Sequence, residues 1–319
     1  MQRRTSRVVP LFLAWVTASL MVPWMSSGQD SIPPRVAPWT VSRIKGSPDP
    51  PLPYKATRVF AKVDLDQPTE VRWVPSAQKW LSTQRGSKLV TFDNSMNATA
   101  EPFLDLSEAL GQPVLNVHGI VFHPDQKNQP WCFVTFITAR KDPEGVRLGR
   151  LRVIDPTVPT LDASSLEVLA SWNSGGHVGM SMQFGPDGML YVSIGDGQRP
   201  YPPDADNTGQ DLSDLQSSIL RIDVNDPTPG RPYRIPPDNP FVGQDNVREE
   251  IWAFGFRNPW KIAFDPISGD LLAADVGWEA HEMIHRVKKG RNHGWSIKEG
   301  SQTVKQDLQP KIPITPPLF

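Results

Sequence analysis

The chain has 319 residues, with 33 basic against 34 acidic side chains and a formal net charge of −1. That balance leaves no broad basic field and excludes a general nucleic-acid binder. A hydrophobic fraction of 38% and a mean hydropathy of −0.37 exclude a polytopic helical membrane protein. The length suits one large all-β or α/β-barrel domain, or two ordinary domains.

At the N-terminus, Arg3, Arg4 and Arg7 precede an apolar run from Val8 to Trp24, followed by Ser26-Ser27-Gly28. This is the order of a secretory signal peptide and predicts that residues 1–28 are removed on export. The run is long for such a segment, so an uncleaved anchor is the competing reading. Cleavage removes three arginines and no acid, leaving a mildly acidic mature chain that is periplasmic or secreted, with no stable membrane insertion. Residues 29–55 are rich in proline and read as an extended lead-in. Residues 56–319 form the main domain.

Thirty-four prolines, about twice the usual share, and 23 glycines are scattered along the chain. They predict many short elements with fixed turns and few long helices. Within this pattern lies a repeat. Trp73-Val74-Pro75 precedes Lys79 to Thr83, and Phe122-His123-Pro124 precedes Trp131 to Thr135. Phe184-Gly185-Pro186 precedes Leu190 to Ser193, and Phe264-Asp265-Pro266 precedes Leu271 to Ala274. Each unit reads as a strand ending in aromatic-x-Pro, a polar turn, and a second apolar strand. A strand pair cannot bury both faces alone, so such copies predict blades around an axis, as in a β-propeller. The unequal spacing keeps a β-sandwich as the alternative. Four units are present before Phe319, so the sequence predicts an incomplete propeller that lacks its closing blades. Cys132, the only cysteine, excludes an intrachain disulfide and reads as an inert core thiol between Trp131 and Phe133. Asn97-Ala98-Thr99 fits a glycosylation sequon, which matters only in a eukaryotic secretory route.

Several segments carry candidate chemistry. His177, between Gly175-Gly176 and Gly179, reads either as a loop residue or as a base able to take a hydroxyl proton near neutral pH. Asp204-Ala205-Asp206-Asn207 with Gln210-Asp211, and Asp275-Val276-Gly277-Trp278, are oxygen-rich loops of the kind hard cations favour, though neither has EF-hand spacing. Arg257-Asn258, at a turn fixed by Pro259, offers planar donors to a carboxylate or quinone oxygen; the competing reading is a structural ion pair and cap. His281-Glu282-Met283-Ile284-His285 matches the zinc-protease pattern H-E-x-x-H. Against it, the segment is confined between Gly277 and Gly290 and falls where the repeat predicts a strand. Asn292-His293-Gly294-Trp295 reads as a tight turn before a strand.

Taken together, these segments resemble the quinoprotein glucose/sorbosone dehydrogenase family. The resemblance runs through His177-Val178-Gly179, Phe184 to Gly188, Gly195-Asp196-Gly197, Ile219 to Asp223, Ile235 to Phe241, Glu250 to Trp260, Asp275 to Gly277, Asn292 to Trp295 and Glu299-Gly300. It extends from about Gly119, whose Gly119 to Asp125 resembles the preceding blade. It implies an all-β, six-bladed propeller with pyrroloquinoline quinone (PQQ) and calcium on its axis. It implies His177 as the base for the substrate hydroxyl, Arg257 and Asn258 at the quinone oxygens, and the Gly277 and Trp278 carbonyls as calcium ligands. The substrate would be an aldose or related alcohol or aldehyde, and the electrons would go to an external cytochrome or quinone. On this reading Glu282 to Val287 is a blade strand. The chain departs from the family at Met180, usually Gly or Arg, at Trp278, usually Gln or Pro, and at His293, usually Tyr. It has no counterpart of a glutamine that some members place before Gly119, nor of the lysine and arginines of the later blades. A non-catalytic propeller binding a glycan or protein, and a calcium-dependent, lactonase-like propeller hydrolase, are the alternatives.

Overall fold

The aromatic-x-Pro repeat marks the ends of four equivalent strands. A computed structural model describes residues 54–157, 160–225 and 232–319; the segment expected to be a signal peptide and the expected lead-in up to residue 53 lie outside the described residues. The domain from Thr57 to Phe319 is one unit. Its first sheet contains β1 (Pro68–Val74), β2 (Lys79–Gln84), β3 (Lys88–Asp93) and β4 (Glu101–Asp105). The second contains β5 (Asn116–Phe122), β6 (Trp131–Ile137), β7 (Val146–Asp155) and β8 (Thr160–Trp172). The third contains β9 (Met182–Phe184), β10 (Leu190–Ile194), β11 (Ser218–Ile222) and β12 (Ile251–Phe254). The fourth contains β13 (Pro259–Phe264), β14 (Leu271–Asp275) and β15 (Met283–Val287). Each sheet is an antiparallel meander with its strands in chain order. This is the blade of a propeller, and four blades follow one another as the repeat predicts.

The sequence dictates why these are blades. Strand β6 is buried along nearly its whole length, as befits a central strand covered on both faces, whereas β7 alternates buried and more accessible residues. Three apolar clusters join neighbouring blades. Leu81, Leu89, Ile120 and Phe136 lie between the first and second. Phe133, Leu148, Val192 and Leu220 lie between the second and third, and Ile219, Ala253, Ile262 and Ala273 between the third and fourth. Buried hydroxyls complete the joints by satisfying backbone oxygens at the inner strands. Thr69 Oγ1 donates to Val117 O at 2.7 Å, Thr135 Oγ1 to Met180 O at 2.7 Å, and Ser193 Oγ to Pro259 O at 2.7 Å. Cys132 is fully buried and its thiol is pushed far above the usual range by that burial.

Strands β1, β5, β9 and β13 are the innermost, and all four begin at one axial end. Thr69, His118, Val178 and Trp260, from or just before these starts, line a single cavity of about 420 Å³ there. Among the described residues no helix is long and apolar enough to cross a membrane.

Candidate functional site

His177 lies in the connection entering β9, and Arg257-Asn258 in the connection entering β13. Equivalent positions on neighbouring blades meet at the axial end. His177 Nδ1 is 2.8 Å from Asp196 Oδ1. Asp196 is fully buried and also accepts from Trp295 Nε1 at 2.9 Å and from the Gln198 N–H at 2.8 Å. A carboxylate can only accept, so the imidazole carries its proton on Nδ1 and presents the lone pair of Nε2. Arg257 Nη2 donates to that nitrogen at 3.0 Å.

The glycines before His177 permit a close backbone approach. A Cβ at Gly175 would lie 1.3 Å from Gly197 O, and one at Gly176 2.1 Å from Gln198 O. They let segment 175–177 run against the backbone at 197–198, where Gly176 N donates to Gly197 O and Gly197 N to His177 O. Met180 does not crowd the cavity; it adopts φ +81 and sinks fully into the core between the second and third blades.

Asp275, at the end of β14, fixes the other half of the site. Its carboxylate accepts from Arg257 N at 3.0 Å and from Asn258 N at 2.6 Å, so one side chain sets the turn that aims both residues. Burial pushes this carboxyl up to about 7, and the two backbone donors act in the opposite direction. Arg257 is further held by Nη1 donating to Val276 O at 3.1 Å, while its buried Nε has no partner among the described residues. Asn258 Oδ1 accepts from Gly179 N at 3.0 Å, leaving Nδ2 uncommitted beside the cavity that Asn258 lines.

Gly277 and Trp278 follow directly. Glu299 turns its carboxylate under this loop and accepts from the backbone N–H groups of Trp278, Glu279, Ala280 and His281 at 2.5–3.2 Å. Those N–H groups hold Glu299 below the usual carboxylate range against the opposing effect of burial. With the N–H groups turned to Glu299, the carbonyl oxygens of Gly277 and Trp278 accept no hydrogen bond among the described residues. A Cβ at Gly277 would lie 1.5 Å from His281 O, so the tightness of the loop requires glycine. Trp278 Nε1 donates to Pro200 O at 2.7 Å, tying this loop to the one that follows Asp196.

Two other candidates are dispersed. His281 is exposed ahead of β15, while His285 lies within β15, paired with Ala273 and packed on Phe256. The H-E-x-x-H segment is therefore no helix, and its histidines share no ligand-binding face. His285 Nδ1 meets His293 Nδ1 at 3.3 Å; burial depresses the two to about 4 and about 3, so both are neutral. In the 204–211 loop, Asp204 is committed to the N–H groups of Thr208 and Gly209, and Asp206 to Gln198. No group of three or more His, Cys, Asp or Glu among the described residues is placed to hold a metal.

The residues fit the two groups that the resemblance implies. Asn258, with its uncommitted amide, lines a cavity able to admit a planar quinone, and the residue before it, Arg257, carries a buried guanidinium with an unpartnered Nε. Two free carbonyl oxygens suit a hard cation that draws its remaining ligands from an anionic cofactor and water.

The fold and the site define an all-β propeller that gathers an imidazole–carboxylate pair and a buried arginine at one end of its axis. Residues 65–313 match the family described as Glucose / Sorbosone dehydrogenase, and the chain belongs to that family. It is 41% identical to the HIPL2 protein of Arabidopsis thaliana over 133 residues, covering 38% of this chain and 19% of that protein. Identity to an aldose sugar dehydrogenase of Escherichia coli is 26% over 236 residues, covering 73% and 60%. With the Hedgehog-interacting protein of Mus musculus it is 30% over 215 residues, covering 60% and 30%. The structure of the PQQ-bound form of an aldose sugar dehydrogenase from Streptomyces coelicolor superposes with a TM-score of 0.59 at 25% identity, covering 77% of this chain and 67% of that one. The chain thus spans less than two thirds of the length of each of these three curated relatives.

Proposed function

We propose that this protein is an exported oxidoreductase that removes a hydride from C1 of an aldose, or from a related alcohol or aldehyde, with His177 as general base. The observation that carries this reading is the Asp196–His177–Arg257 line. Its Nε2 lone pair points away from the carboxylate that fixes the tautomer. A substrate hydroxyl displaces Arg257 Nη2 from Nε2 and gives its proton to that nitrogen; the developing imidazolium is stabilised by Asp196. The freed guanidinium N–H and Asn258 Nδ2 are donors available to oxygens that become negative. PQQ, when bound, would supply the two-electron acceptor for the hydride of the C1–H bond, and calcium would make it more electrophilic. Arg257 and Asn258 would hold the quinone side, and the Gly277 and Trp278 carbonyls the calcium. His177 then returns its proton to solvent; an external cytochrome or quinone would be the final electron acceptor.

The test is dye reduction by the full chain supplied with PQQ, calcium and a panel of aldoses. His177→Ala is expected to lower kcat by about 10²–10⁴-fold. No dye reduction by the parent protein, or full activity in His177→Ala, overturns the proposal. The relationship to the Hedgehog-interacting protein favours a second reading, a propeller that binds a protein or glycan without turnover. Retained ligand binding with no dye reduction is its signature.

A further inference from the structure

The lining of the axial cavity is electrostatically one-sided. It includes Arg85 and Arg140 and no aspartate or glutamate. Arg85, just after β2, gives one hydrogen bond, from Nη1 to the neutral Gln67 Oε1 at 3.0 Å, and no carboxylate lies against it. Arg140, in the connection after β6, makes no hydrogen bond or ion pair among the described residues. The nearby acids are already committed. Glu70 is paired with Arg72 and with Lys261 at 3.2 Å, Asp196 serves His177, and Asp142 Oδ1 accepts from the Glu144 N–H at 2.8 Å.

The cavity wall adds acceptors and donors without neutralising the arginines. Asn116 and Ser174 line it, as does His118, which stacks edge-on against Trp260 with ring centroids 5.3 Å apart. Burial depresses the imidazole to about 4, with the charges of Lys261 and Arg85 acting in the same direction. At neutral pH His118 is therefore an uncharged hydrogen-bonding wall. Two guanidiniums facing one partly enclosed space, with no internal counter-charge, favour an anionic occupant, and their planar forks suit a carboxylate.

We propose that the axial cavity selects a sugar bearing a carboxylate, a uronate, with Arg85 and Arg140 as the pair that binds the carboxylate; this rests on the sugar reading above. The arginines stand on the first and second blades, whereas His177 and Arg257-Asn258 enter from the third and fourth. A uronate in this cavity can thus place its carboxylate toward Arg85 and Arg140 while its C1 end lies toward Gly176, Val178 and Asn258, the lining residues that flank His177 and Arg257 in the chain. Exposed rim arginines contribute modestly, and two of them acting together correspond to about a ten-fold preference, or about 1.4 kcal/mol.

The experiment is calorimetric titration of the full chain, alone and preloaded with PQQ and calcium, with D-glucuronate, D-glucose and the neutral isostere D-glucuronamide. The expected result is about ten-fold tighter binding of glucuronate than of either neutral sugar, weakening with added KCl. In Arg85→Ala/Arg140→Ala that preference falls to near unity, with PQQ affinity and thermal melting retained. Equal affinities in the parent protein, a preference that survives the double substitution, or no sugar binding at all each overturn the proposal. Loss of PQQ binding in the double variant overturns it too, because the arginines then hold the carboxylates of the cofactor. Dye reduction separates the two readings. Equal turnover of glucose and glucuronate with equal affinity sinks the uronate preference alone, and selective glucuronate binding without any turnover sinks the dehydrogenase alone.

Discussion

Replacing Asp196 by asparagine isolates the part of the site on which the base depends. The native carboxylate takes three donors: His177 Nδ1 at 2.8 Å, Gln198 N at 2.8 Å and Trp295 Nε1 at 2.9 Å. In Asp196→Asn the new amide can keep its oxygen toward His177 and Gln198 only by turning its NH₂ group against the indole N–H. A buried donor left unsatisfied costs about 1–3 kcal/mol, and weakening two charge-assisted bonds adds about 1 kcal/mol. The sum is about 3 kcal/mol, which in a domain of this size lowers the melting temperature by about 6–12 °C. Trp295→Phe in the same background removes the opposed donor, so the double variant should recover about 1 kcal/mol or more relative to additivity. Melting by circular dichroism measures both effects, and nitrogen NMR of His177 reports the tautomer. A single variant melting within about 1 °C of the parent, or a double variant that shows no recovery, refutes the geometry.

Two further outcomes follow from the carboxylates that shape the loops. Asp275 binds its proton more tightly folded than unfolded, so its contribution to stability is full below about pH 4 and is lost as pH rises to about 7. The loss is on the order of 4 kcal/mol. His285 and His293 are depressed and titrate in the opposite sense, so urea unfolding from pH 4 to 8 must be compared with Asp275→Asn; parallel curves refute the assignment. Gly277→Ala forces a Cβ to within 1.5 Å of His281 O. The loop must open, so any rise in melting temperature on adding calcium should be lost in this variant; an unchanged rise refutes the carbonyl reading.

The blades were legible because their signal is local. Each aromatic-x-Pro end and the following apolar run lie within a few residues of each other, and burial writes itself into that alternation. His177 and Arg257-Asn258 were legible as positions because both precede an inner strand. The groups that support them were not. Trp295 reaches Asp196 across 99 residues and Glu299 reaches Trp278 across 21, and no periodicity records which oxygen a distant N–H will find. Asp196 stood in view within Gly195-Asp196-Gly197, part of the family resemblance, yet nothing in that segment assigned it a role. The H-E-x-x-H pattern is set aside because the repeat predicts a strand there, and the structure agrees. Its five letters fit a helix, but Met283 to Val287 alternates toward the core as the third strand of a blade. The cavity arginines gave no sequence signal, since a charge declares its neighbours only once the blades are assembled.

Glu299 has a consequence for how this rim can change over time. Because a carboxylate beneath the loop dictates the direction of the carbonyls at 277 and 278, the side chains displayed above it are not needed to hold that direction. The Trp278 indole is therefore released to reach Pro200. The backbone of the loop is moulded from below, so the side chain displayed at 278 can be exchanged without redirecting the two carbonyls.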